Sequence, residues 1–100
     1  MQRATTPTHV FTLPFEASLI KEYRVTYQQN GSTVLKKTEA ECKKSGNEIR
    51  VTLTQEETMK FEANKTMFIQ LRVLMADGTV TASQIMTDLV TDCLDCEVLS

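Results

Sequence analysis

The sequence contains no tryptophan, one histidine, three glycines, two prolines and three cysteines in 100 residues. Each scarcity excludes something. The three glycines are isolated, so no glycine-rich loop is available to cradle a phosphate. A single histidine, His9, supports a Ser-His-Asp or Cys-His arrangement only where the fold sets it against a nucleophile. Its place beside Val10 and Phe11 on an expected edge strand favours a solvent-facing or backbone-bonded imidazole. Three cysteines are an odd number, whereas a disulfide framework uses even numbers at regular spacing. Without tryptophan there is no Cys–Trp–Cys signature of an antibody-type domain.

No apolar run approaches the ~20 residues of a membrane span. The stretch before Pro7 has no apolar segment of the signal-peptide kind, so synthesis in a reducing cytosol is expected. Net charge is −2, from 11 basic and 13 acidic residues. Binding to a phosphate backbone needs clustered Lys and Arg, and here only Lys36-Lys37 and Lys43-Lys44 are adjacent. Both pairs read as solvated loop residues. The few Phe and Tyr lie in strand-like runs rather than forming a stacking platform, so no nucleic-acid partner is expected.

What the sequence does have is β-branched residues, 27 of them counting Val, Ile and Thr. These side chains favour a pleated surface. The period agrees. Tyr23, Val25 and Tyr27 alternate with Arg24, Thr26 and Gln28; Ile49, Val51 and Leu53 alternate with Arg50, Thr52 and Thr54. Met67, Ile69, Leu71, Val73 and Met75 extend the same alternation over nine residues, which is a half-buried strand. Asn30-Gly31 and Asp77-Gly78 fall where two-residue hairpin turns are needed. Ser45-Gly46-Asn47 gives a third turn, and Thr38 to Asn47 reads as the longest loop. Pro7 and Pro14 bracket a first strand over Thr8–Leu13, which places it short or at a sheet edge. Thr79–Ile85 follows the Asp77-Gly78 turn as a strand. Residues 86–100 read as a strand extension or a tail, with 92–100 acidic.

One segment departs from this pattern. Thr54 and Glu57 have capping-box spacing, which predicts a short helical turn that tucks Met59 or Phe61 into the core. Together these signals predict a single all-β domain over residues 1–100. Its expected form is a small immunoglobulin-like β-sandwich of six to seven strands with one helical turn. A small barrel is the alternative.

Few residues invite chemistry. Cys93-Leu94-Asp95-Cys96 has the spacing of two zinc ligands or a redox pair. A closed zinc site needs four ligands. Cys42 and His9 would complete a set only if the fold brought both to the C-terminal end. Asp92, Asp95 and Glu97 flank the thiols, and negative neighbours oppose the thiolate that redox catalysis needs. The pair therefore reads as two small apolar side chains near the chain end. The carboxylate pairs Glu56-Glu57 and Glu39/Glu41 read as solvated faces, because paired acid catalysis requires convergence on a cleft. No catalytic, cofactor or metal residue is assigned, and the chain is expected to act through a surface rather than as an enzyme.

Several stretches together carry a resemblance. They are Ala4-Thr-Thr-Pro-Thr-His-Val-Phe-Thr-Leu-Pro-Phe15, Leu53-Thr-Gln-Glu-Glu-Thr-Met-Lys-Phe61, Ile69-Gln-Leu-Arg-Val73, Asp77-Gly78, Ala82-Ser-Gln-Ile85 and the closing Glu97-Val98-Leu99. In this order they resemble short hypothetical proteins encoded in prophages of Gram-positive bacteria, held to be virion components. The end of the chain departs from that pattern, with Cys96 standing where Asp is expected. The resemblance implies a phage structural protein of the tail or baseplate, with other virion proteins or further copies of itself as partners. It places the protein in the host cytoplasm during synthesis and then in the virion, and it carries over no active-site residue. The alternative is a ligand- or carbohydrate-binding sandwich reading its target with the Thr38–Asn47 loop. That loop holds no aromatic residue for stacking on a sugar.

Overall fold

The computed structural model describes all 100 residues. Eight strands form two antiparallel sheets, and one α-helical turn and two 3₁₀ turns lie between strands. The first sheet has the order β1-β5-β4, from Thr8–Thr12, Glu48–Thr52 and Lys43–Ser45. The second runs β3-β2-β6-β7, from Ser32–Thr38, Ile20–Gln29, Thr66–Met75 and Val80–Ala82, and β8 (Met86–Leu89) also pairs with β6. This is the strand order of an immunoglobulin-like sandwich, with the extra strand beside the central hairpin that variable-type domains carry. No strand of one sheet pairs with a strand of the other, and only an isolated parallel bridge from Gln2 to Thr91 joins the segments before β1 and after β8, so the chain is a sandwich and not a barrel.

The alternations meet where they should. Tyr23, Val25 and Tyr27 on β2 lie opposite Val73, Leu71 and Ile69 on β6, and all six are buried. Phe11, Ile49 and Val51 face them from the first sheet within the same core cluster. Burying each of these large side chains stabilises the fold by roughly 1.5–3 kcal/mol relative to exposure. Between β5 and β6 the capping box forms as expected. Thr54 accepts from the Glu57 amide while Glu57 accepts from the Thr54 amide, starting α1 at Gln55–Thr58. The chain then drops Phe61 into the core, edge-on to Tyr27 at 6.0 Å between ring centres, while Met59 stays half-buried.

Turn chemistry sets two of the hairpins. Asn30 and Gly31 both have positive φ and join the Gln29–Ser32 pair, the two-residue turn that matches strand twist. The Asp77-Gly78 turn is longer than expected. Met75 donates to Thr79, leaving a three-residue loop with Gly78 at φ +92°.

Three expectations change. There are eight strands rather than six or seven, because β4 forms inside the expected loop and the strand expected over Thr79–Ile85 breaks after Ala82. There the Ser83 hydroxyl accepts from the Leu71 amide in place of a backbone carbonyl, and the chain resumes pairing only at Met86. Thr38–Asn47 is not an open loop. It folds as a 3₁₀ turn capped by Thr38 and Glu41, then β4, then a tight turn at Gly46-Asn47. Lys37 is not a solvated loop residue. It lies on β3 opposite Val25 and points into the sandwich.

Candidate functional site

A groove of about 400 Å³ opens between the two sheets. β1 and the Pro14–Phe15 turn form one wall, and β7 with Ser83, Gln84 and Met86 forms the other; Leu71 and Val73 floor it. Its lining is mostly apolar, and no residue in it carries a charge.

The hydrogen-bond phase of β1 makes this groove chemically distinct. Pro7 accepts from Leu53 and Leu13 donates to Asn47, so the odd-numbered residues of β1 pair with β5. In an antiparallel ladder the intervening residues then turn their amides and carbonyls the other way. Thr8, Val10 and Thr12 thus present their backbone groups to the outside, where no strand lies. The Val10 side chain is 39% exposed beside them.

The edges on the opposite side of the sandwich are guarded. β3 carries Lys36 and β4 carries Lys43 and Lys44, which oppose strand addition. β1 (Thr-His-Val-Phe-Thr) and β7 (Val-Thr-Ala) carry no acidic residue or lysine at all.

The candidate chemical residues lie elsewhere. His9 is neither solvent-facing nor backbone-bonded. It shares the inward face of β1 with Phe11, and its Nδ1 lies 2.7 Å from the Tyr27 hydroxyl. Burial holds His9 below the usual imidazole value, against the pull of Asp88. Burial also raises the Tyr27 hydroxyl, helped by Cys42 and Glu57, and pushes Tyr23 up to about 12. The Cys42 thiol is raised by burial too, with Lys37 opposing. Burial thus favours the uncharged form of His9, Tyr27 and Cys42 alike.

Glu57 is not on a solvated face. Its side chain is 15% exposed and its Oε2 lies 2.6 Å from Lys37 Nζ. Partial burial pushes Glu57 up, but the hydrogen bonds from Lys37 and Thr54 prevail and hold it below the usual glutamate value. Glu41 stays exposed, 3.7 Å from the same Lys37 nitrogen. Glu39 and Glu56 are exposed, so neither carboxylate pair converges on a cleft.

Cys93 and Cys96 are not two independent apolar side chains. Their sulfurs are bonded to each other, the Cα atoms being 5.6 Å apart. A four-residue loop at an irregular chain end lets them meet without disturbing a strand. Neither Cys42 nor His9 joins them. Asp92 does, with its carboxylate beside both sulfurs. In the sequence Asp92 stands only as a negative neighbour of the thiols, and its adjacency to Cys93 is the one local signal of this contact.

No family model matches the sequence, and no curated protein does. The chain is similar in structure to the V domain of amphioxus IgVJ-C2, at a TM-score of 0.36 and 12% identity over 90% of this chain and 96% of that one. It is also similar to the amphioxus IgVJ-C2 molecule, at a TM-score of 0.35 and 11% identity, over 90% of this chain and 54% of that one. No helix is long and apolar enough to cross a membrane.

Proposed function

We propose that the chain is a non-enzymatic assembly module, which joins its neighbours by strand addition at β1. The uncharged edge formed by Thr8, Val10 and Thr12 over the apolar groove carries this reading. An added strand would satisfy the outward backbone groups and lay alternate side chains against Leu71, Val73 and Met86. Natural sandwiches block such edges with charge, as β3 and β4 do here, and leave them open where pairing is used. The sequence resemblance to prophage-encoded virion proteins gives the setting: repeated copies, or adjoining tail or baseplate proteins, packed side by side.

Light scattering across a wide concentration range, with reductant present, tests this reading. Wild-type protein should form a defined oligomer, and Val10→Lys should stay monomeric and folded, melting a few degrees lower because the lysine faces Arg50 across the ladder. Val10 pairs with Arg50 on the outward side of the first sheet, so the lysine has room. A wild-type protein that remains monomeric throughout, with Val10→Lys indistinguishable from it, would remove the support for self-assembly by this edge.

A further inference from the structure

The Cys93–Cys96 bridge secures little. It closes a four-residue loop at an exposed chain end that contains no strand or helix, and neither cysteine belongs to the core cluster. What stands out is the third group beside it. Asp92 Oδ1 lies 3.7 Å from the Cys93 sulfur and 4.0 Å from the Cys96 sulfur. For a tetrahedral zinc ion with Zn–S near 2.3 Å and Zn–O near 2.1 Å, two ligand atoms of these types lie about 3.6 Å apart, and two sulfurs about 3.8 Å apart. In the bridged form the oxygen-to-sulfur spacings are therefore already close to those of a metal site.

The carboxylate is also held in place. Arg3 Nη1 and the Cys93 amide both donate to Asp92 Oδ1, each at 2.9 Å. Asp92 Oδ2 accepts nothing from the chain. Supporting hydrogen bonds of this kind fix the direction of a ligating group.

We propose that the reduced form of this chain binds one thiophilic divalent cation of the zinc class through Asp92, Cys93 and Cys96, with solvent in the fourth position. A thiol reductant exchanges with the Cys93–Cys96 bond, leaving two protein thiols and forming its own disulfide. The cation then displaces the two thiol protons to solvent and bonds to both sulfurs. Arg3 already offsets the Asp92 charge, but two thiolates this close to each other and to the carboxylate still repel, and a divalent cation among them removes that repulsion. The same charge pattern sets the pair apart from a thioredoxin-like couple, which needs a cation or a helix N-terminus at its sulfurs. Here Arg3 is engaged by Asp92, and Asp95 and Glu97 follow. The inference does not depend on strand addition at β1.

The test uses the full chain, reduced with a phosphine, desalted without oxygen and titrated with Co²⁺. Thiolate-to-cobalt charge-transfer absorption should saturate at one equivalent per chain and vanish on addition of Zn²⁺. Cys96→Ser should abolish the band, and Cys42→Ser should leave it unchanged. Asp92→Asn should retain the band but weaken binding by at least about tenfold, the least that loss of a supporting group costs. Three results overturn the proposal: no saturable band, full affinity in Asp92→Asn, or saturation at half an equivalent, which would mean four thiolates shared by two copies. All the substituted tail positions lie outside the core cluster, so unchanged circular dichroism will confirm that each variant is folded.

Discussion

Lys37 Nζ, from the inner face of β3, lies 2.6 Å from Oε2 of Glu57 on α1, and their side chains are 6% and 15% exposed. The pair closes the end of the sandwich where a strand edge meets the helical turn. It sits near Cys42, so the end of the sandwich at β3 and α1 holds buried charge while the groove between β1 and β7 is lined by uncharged residues. Glu57 has two roles, since it also completes the capping box with Thr54.

Removing one partner of such a pair strands the other charge. Lys37→Met should destabilise the domain by about 3 kcal/mol, near the low end for a buried pair because Glu57 keeps some solvent. Glu57→Gln should cost a similar amount. The double variant should cost clearly less than the sum, since no charge is left unpaired. Denaturant titrations of the four proteins measure this, and strict additivity would mean that Lys37 and Glu57 do not act as a pair.

Acid should destabilise the fold in two stages. The folded-state pKa of His9 is lowered by burial, so between that value and about 6.5 the unfolded chain binds more protons than the folded one. Stability is then full above about pH 6.5 and falls as the pH drops through this window. Glu57 is also held low, so its contribution is present above its unfolded value of about 4.3 and is lost as pH falls through the lower folded value. Melting temperatures from neutral pH downward should show both stages. His9→Gln keeps a hydrogen-bonding group near Tyr27 but should flatten the first stage; an identical slope in both proteins would exclude His9 as its source.

The facing of β6 gives a sharper contrast. Val73 is 3% exposed and lies opposite Tyr23, whereas its neighbour Arg72 is exposed. Val73→Asp places an unpaired charge in the core at a cost of several kcal/mol and should unfold the domain. Arg72→Asp should melt within a few degrees of wild type. Thermal unfolding by circular dichroism reads both, and equal losses would contradict the strand's facing.

Much of this architecture was legible in the residues alone. Period-two alternation at Tyr23–Tyr27, Ile49–Leu53 and Met67–Met75 named the strands and their buried faces, because side-chain direction in a strand is set locally by the pleat. Asn30-Gly31 and the Thr54/Glu57 box are likewise local, each decided by atoms within three residues. The failures share a different cause. Lys37 reads as a surface lysine until β3 pairs with β2 and turns it toward Glu57, twenty residues away in sequence. Nothing near His9 announces Tyr27, and the break at Ser83 depends on a hydroxyl reaching the Leu71 amide across the sheet. The open edge at β1 is a matter of strand order and hydrogen-bond phase. The sequence alone thus determined the strands β1, β2, β5 and β6 and, in the last three, the faces they bury. Only the tertiary structure decided which edges stand free and which polar groups meet, because those are pairings between distant segments that no local periodicity encodes.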